Sequence, residues 1–253
     1  MTNIEALIFD LDRTLLRTDR SLSEYTINTL KKCKDLGFKI FVASGRPFRN
    51  IECYNDLINY DAVVSSNGGR IINKKNIIEN PVSFDSSFKF LKLLEDYPYF
   101  KIIFETGDVA YSNVKVDFFD TIVCDNLKKI LENNKILKIV IEIHDDNSID
   151  IIKKYLNDDV YCTIANGYVV QIMSNKATKF DGVKSVLETY NIKFADCIYF
   201  GDDYDDIKSI SKCGVGVAMG NAIKECKEVS DYICKTNDED GVANFINEFL
   251  FKE

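Results

Sequence analysis

Twice in this chain a short apolar run stops abruptly on carboxylates. Residues 6–9 run into Asp10 and Asp12, and residues 198–200 run into Gly201, Asp202, Asp203, Tyr204, Asp205 and Asp206. A continuous apolar run of this length suits a strand buried on both faces, as in a parallel sheet. A third run, residues 39–43, ends on Ser44, Gly45 and Arg46. Between the first and third runs, Ser23 is placed to cap a helix. Its apolar positions Ile27, Leu30, Cys33 and Leu36 recur every third residue, and Gly37 is its stop. Strand, helix and strand in close order build a parallel sheet with helices on its faces. Open sheets of this kind bind ligands at the carboxyl ends of their strands, where all three polar clusters fall.

The pattern changes in the middle of the chain. Residues 62–64 lead into Asn67-Gly68-Gly69, a hairpin signal ahead of Ile71 and Ile72. From residue 81 to 173, helix-like segments at 88–94, 127–131 and 149–156 alternate with strand-like runs at 101–104, 137–143, 160–164 and 168–173. The partial alternation within 137–143 predicts a sheet with one open face. After Lys179 the earlier style returns, with a helix at 180–190, strands at 198–200 and 215–218, and a helical end. The expected architecture is α/β. A doubly wound parallel-sheet core takes residues 1–80 and 174–253, and a smaller α+β domain, 81–173, is inserted into it.

Bulk properties exclude some partners. A net charge of -8 disfavours nucleic acid and anionic membrane, both of which reward an excess of lysine and arginine. Residues 1–5 are polar and the first apolar run ends at Asp10, so no signal peptide is expected. No run approaches the roughly 20 apolar residues of a membrane span. The 8 cysteines are scattered singly without a CxxC pair, which suits free thiols in a reducing cytoplasm.

Each polar cluster has an ordinary reading beside a chemical one. Asp10 and Asp12 can both face the mouth of the sheet, yet two such aspartates equally suit a helix cap or a loop. Ser44 beside Gly45 makes a phosphate clasp, a hydroxyl next to a backbone that can come close, but also an N-cap. Acidic clusters usually lie in solvent. Residues 202–206, however, follow a strand too apolar for the surface, and their carboxylates repel one another unless a cation is bound. Magnesium, which takes a few carboxylates and keeps several waters, suits that position.

Taken together, these residues resemble the haloacid dehalogenase superfamily, specifically its Cof-type phosphatases, over nearly the whole chain. Residues 10–16 match the DxDxT motif with its following leucines. Ser44-Gly45-Arg46-Pro47 matches the second motif, with Asn67-Gly68-Gly69 as the turn after it. Lys179 ahead of a helix matches the third, and residues 201–206 match GDxxND. Residues 214–222 and 238–243 resemble the C-terminal signatures.

The resemblance implies a Rossmann-like core and hydrolysis of a small phosphorylated metabolite. By it Asp10 is the nucleophile that becomes phosphorylated, and Asp12 is acid to the leaving oxygen and then base to water. Mg2+ is held by Asp10, the backbone carbonyl of Asp12, and Asp202, with Asp206 supporting it directly or through water. Ser44, Gly45, Arg46 and Lys179 face the phosphoryl group or substrate. The inserted domain becomes a cap that closes over the site and selects the ester. Two positions depart from the family: Arg13 stands where glycine is usual, and Asp205 replaces the usual asparagine near the phosphate.

Other phosphatase chemistries lack their parts. The single histidine, His144, lies in the inserted segment, no cysteine precedes an arginine by six residues, and Ser44 is not in G-x-S-x-G. Gly214, Gly216 and Gly220 miss the dinucleotide pattern. Two rivals share the same residues: a phosphotransferase or sugar-phosphate mutase, and a non-catalytic phosphometabolite-binding protein. Nothing in the sequence selects an oligomeric state.

Overall fold

The structure of the protein, a computed structural model, describes residues 4–73, 76–165 and 167–252. The chain opens with β1 (Ala6–Phe9), α1 (Glu24–Asp35), β2 (Lys39–Ala43), the short α2 (Asn55–Ile58), β3 (Ala62–Ser65), β4 (Arg70–Asn73) and β5 (Ile77–Glu79). It continues through α3 (Phe84–Asp96), β6 (Ile102–Glu105), β7 (Ala110–Ser112), β8 (Ile122–Val123), α4 (Leu127–Asn133), β9 (Lys138–Glu142), α5 (Asp146–Lys153), β10 (Val160–Ala165) and β11 (Val169–Ser174). The last part holds α6 (Lys179–Tyr190), β12 (Cys197–Gly201), α7 (Ile207–Lys212), β13 (Val215–Ala218), α8 (Lys224–Val229), β14 (Tyr232–Ile233) and α9 (Gly241–Leu250). These elements form two compact units, Met1–Ile78 with Thr178–Glu253, and Glu79–Ala177.

The first unit is built on a sheet of order β14-β13-β12-β1-β2-β3-β4-β5, parallel from β14 to β3 and antiparallel between β3 and β4. Every residue of β1 is buried, as its uninterrupted apolar run requires. Burying side chains of this size is worth roughly 1.5–3 kcal/mol each, which pins β1 at the centre of the sheet. Phe9 lies opposite both Val42 and Phe200. That register carries Asp10, Ser44 and Asp202 to the carboxyl ends of three neighbouring central strands, one residue beyond Phe9 and two beyond Val42 and Phe200.

Helix α1 starts where Ser23 caps it, accepting from the Thr26 backbone N–H at 3.0 Å. Its inward stripe is not the expected one. Leu30 and Cys33 are buried, but Leu36, at the C-cap, is 60% exposed, and the stripe is completed by Thr26 and Thr29. Two buried hydroxyls are tolerable there because they are paired: Asn247 donates to Thr29 Oγ1 at 2.9 Å, and Thr26 donates to Asp240 at 3.4 Å. Gly37, at φ +93, turns the chain out of the helix and leaves Leu36 at the rim.

The second unit has a sheet of order β10-β11-β9-β6-β7-β8. Its helices cover one face, where Phe90, Leu93, Leu131 and Ile152 pack on Ile102, Phe104, Ile139 and Ile141. The other face was expected to be open along 137–143. It is not: Val140 is buried with Ile103 and Val169 under Val116, and Phe118 and Phe119 pack on that cluster. The segment between β7 and β8 supplies this cover, so both faces of β9 are buried. Among the aromatic residues of this unit, Phe104 is fully buried and Tyr111 packs on the helix-side core. Tyr168 is 40% exposed and meets Phe118 edge-on at 5.6 Å. Among the described residues, no helix is long and apolar enough to cross a membrane.

Candidate active site

Past β1 the chain turns at once, with Asp10 at the carboxyl end of this central strand. Its N–H donates to the Phe200 carbonyl at 3.0 Å, continuing the ladder by one residue. The turn returns Leu11, Leu15 and Leu16 to the core and leaves Asp12 and Arg13 outside. Thr14, buried, donates from Oγ1 to Asp202 Oδ1 at 2.9 Å. Across the sheet, Ser44 is buried at the end of β2 and accepts the Arg46 N–H on its Oγ at 3.1 Å, a bond that does not use the hydroxyl proton. A Cβ at Gly45 would lie 3.0 Å from Asn67 Oδ1, so glycine is what lets this loop sit against that amide. Asn67 in turn donates to Asp205.

Lys179 is the first residue of α6, and Thr178 caps that helix by accepting from the Asp181 N–H at 3.0 Å. The ammonium is buried and donates to Asp10 Oδ1 at 2.8 Å and to Asp206 Oδ1 at 3.0 Å. Asp206 can fold back over β12 only because residue 201 is glycine: a Cβ there would be 2.5 Å from the Asp206 Cβ. Its Oδ2 accepts the N–H groups of Asp202 (3.1 Å) and Asp203 (3.3 Å), and its Oδ1 also accepts the Tyr199 hydroxyl at 2.7 Å.

Asp10, Asp202 and Asp206 each offer a carboxylate oxygen, and these atoms lie within 4.8 Å of one another. Three buried carboxylates face one buried ammonium, and the charges show it. Burial, together with the charges of Asp206 and Asp202, holds the Asp10 carboxyl well above its ordinary range despite Lys179. Burial and then Asp206 push Asp202 up to about 6. Burial pulls Lys179 down, but Asp10 and Asp206 outweigh it and keep the ammonium charged. A site with surplus buried negative charge and only oxygen donors fits a hard divalent cation such as Mg2+.

The structure gathers Asp10, Ser44, Lys179, Asp202, Asp205 and Asp206 at the carboxyl ends of the core sheet's central strands. Arg46 and Asp12 are there too, but joined to each other: Arg46 Nε donates to Asp12 Oδ2 at 2.7 Å and Nη2 to Oδ1 at 2.5 Å. Asp12 is exposed, with Arg46 as its anchor. Arg13 takes a left-handed backbone, φ 61, in the position where glycine is usual. Its guanidinium is mostly exposed, 3.8 Å from Asp202 and 3.3 Å from the Asn221 carbonyl. Asn221 in turn donates to the Arg13 carbonyl at 2.8 Å. Sequence reasoning missed Tyr199. The signal was a tyrosine inside an otherwise apolar strand, whose hydroxyl must find a partner when buried.

The chain is similar to known proteins over nearly its whole length. The family model of haloacid dehalogenase-like hydrolases matches residues 7–246. The 5-amino-6-(5-phospho-D-ribitylamino)uracil phosphatase YitU of Bacillus subtilis (strain 168) is 26% identical over 264 residues, 96% of this chain and 97% of that protein. Phosphatase YwpJ of the same organism is 24% identical over 286 residues, covering 98% of this chain and 100% of its own. Among solved structures, one from Thermotoga maritima shares the fold at a TM-score of 0.88 and 21% identity, over 98% of each chain. The match runs from β1 into α9 and takes in every strand that carries the site, so the chain belongs to the haloacid dehalogenase-like hydrolases, as its Cof-type motifs led one to expect.

Proposed function

We propose that this protein is a magnesium-dependent phosphatase that hydrolyses small phosphomonoesters, sugar phosphates or similar metabolites, through a phosphorylated Asp10. As a member of its family the chain is a phosphoric monoester hydrolase. The finer reading is carried by one observation: the buried Lys179 bonds Asp10 while Asp202 and Asp206 stand within 4.8 Å of it. This is a nucleophile with its charge partner already in place.

In this reading an Asp10 oxygen attacks phosphorus in line, the ester P–O bond breaks, and the leaving oxygen takes the proton of Asp12. Asp12, now a carboxylate, takes a proton from water as that water's oxygen attacks the phosphoaspartate, which returns Asp10 and releases phosphate. Ser44 contributes its free hydroxyl proton and Lys179 its third N–H to the phosphoryl oxygens, where charge develops. Arg46 orients Asp12 through two parallel bonds, from Nε and Nη2 to its two oxygens. Asp10, Asp202 and the Asp12 carbonyl would hold Mg2+, with Asp206 behind them, and the ion would offset the negative charge that otherwise repels an anionic ester.

The inserted segment, 81–173, serves as the cap that selects the ester. The name of YitU, a phosphatase of a phosphorylated ribitylamino compound, supports a small polar metabolite as substrate. All eight cysteines are free thiols, which supports a reducing, cytoplasmic setting. The test is phosphate release from a panel of sugar phosphates, nucleotides and an aryl phosphate, with Mg2+ and with chelator. Mg2+-dependent release from several esters is the expected result. Release only when a sugar acceptor is added would instead indicate a phosphotransferase, and no release while Mg2+ binds would indicate a binding protein.

A further inference from the structure

Strand β12 is apolar except at Tyr199, whose ring is fully buried and whose hydroxyl donates to Asp206 Oδ1 at 2.7 Å. That oxygen also takes Lys179 Nζ at 3.0 Å, and the other oxygen takes the N–H groups of Asp202 and Asp203. Asp206 therefore accepts four donors. It has few lone pairs left and is held on every side. We propose that Tyr199 is a positioning residue of the phosphatase: through Asp206, its hydroxyl sets the place of the Lys179 ammonium and of the turn that presents Asp202. The proposal rests on the phosphatase reading for its effect on turnover, but not for its effect on metal binding.

The physical reason is a competition for one oxygen. A buried carboxylate oxygen with a single donor draws that donor in. With the phenol in place, Asp206 Oδ1 is shared, and Lys179 stays stretched between Asp206 and Asp10. The phenol is the donor in this pair, because a carboxylate oxygen can only accept. Without the hydroxyl, Lys179 moves towards Asp206 and away from the phosphoryl group. Asp206 then shifts off the Asp202 and Asp203 amides, and Asp202 loses its orientation. Partners of this kind behind a metal site typically change affinity or activity by about 10–100-fold.

The experiment is Tyr199→Phe, which keeps the ring, compared with wild type and with Tyr190→Phe. Tyr190 loses an equivalent hydroxyl, one that donates to the Asp61 carbonyl at 2.8 Å, remote from the site. Calorimetric Mg2+ affinity, kcat, KM and Tm are measured for each. The expected result is Mg2+ affinity and kcat each lowered about tenfold in Tyr199→Phe with KM within about threefold, and neither moved in Tyr190→Phe. Loss of Tm in both variants with Mg2+ affinity and kcat unchanged in both would overturn the proposal, leaving Tyr199 a packing residue. If wild type releases no phosphate, the phosphatase reading fails, and the Mg2+ comparison still decides the role of Tyr199. If Tyr199→Phe does not fold, Mg2+ affinity and kcat are read on Asp206→Asn, which keeps the Tyr199 side chain but weakens the acceptor through which its hydroxyl acts. Both should again fall about tenfold, and both staying within about threefold of wild type would overturn the proposal.

Discussion

Replacing Asp10 with asparagine should abolish turnover and, in chelator, make the protein more stable. Asp10 faces Asp202 and Asp206 with oxygens no farther than 4.8 Å away. At that distance, and at an effective dielectric constant of about 20, two like charges repel by about 3.5 kcal/mol, so the two neighbours cost roughly 7 kcal/mol. The Lys179 ammonium at 2.8 Å returns about 6 kcal/mol by the same arithmetic. The ionised Asp10 is thus a net liability of roughly 1 kcal/mol before its desolvation is counted. An amide has nearly the same shape and still accepts from Lys179, but it carries no charge. Asp10→Asn should therefore raise Tm in EDTA by about 2–4 °C for a chain of this size. The assay is thermal unfolding with and without Mg2+, alongside phosphate release. Wild type should gain more from Mg2+ than the variant does. A lower Tm for Asp10→Asn in EDTA would refute the electrostatic account, and turnover near wild type would remove Asp10 as the nucleophile.

Mg2+ affinity should weaken as pH falls through about 6, because Asp202, pushed up to about 6 by burial and Asp206, then binds a proton instead of the ion. The same raised value means that the folded form holds this proton more tightly than the unfolded one. In chelator, then, this group's contribution to stability declines as pH rises from its ordinary 3.8 towards 6 and is level above, which a pH series of melting curves would reveal. Arg46→Lys keeps the charge but cannot make both bonds to Asp12, so kcat should fall about tenfold with KM little changed; an unchanged kcat would show that Asp12 needs no anchor. Asp205→Asn removes an anion that acts on Lys179, so inorganic phosphate should inhibit at a several-fold lower concentration, and weaker inhibition would reverse the assigned sign.

Much of the core was legible because its signals are local. A short, continuous apolar run suits a strand buried on both faces, and β1, β2, β12 and β13 fall on the runs read from the sequence. The stripe of α1 was read less well. Periodicity favours leucine over threonine, and only the partners on α9 and the turn before it make Thr26 and Thr29 suitable for burial. The covered face of β9 was likewise invisible, since the residues that cover it lie some twenty positions earlier in an irregular segment.

By itself, the sequence determined which residues stand at the ends of the central strands and, from their spacing, which family they belong to. What those residues do to one another was decided by the fold. Thr14 meets Asp202 across 188 residues, and Lys179 meets Asp10 across 169. Separations of that kind leave no trace in local pattern, because the chain between them sets the distance only through sheet register. The pairing of Asp12 with Arg46, the four donors on Asp206 and the role of Tyr199 all follow from which side chains that register brings within hydrogen-bond reach.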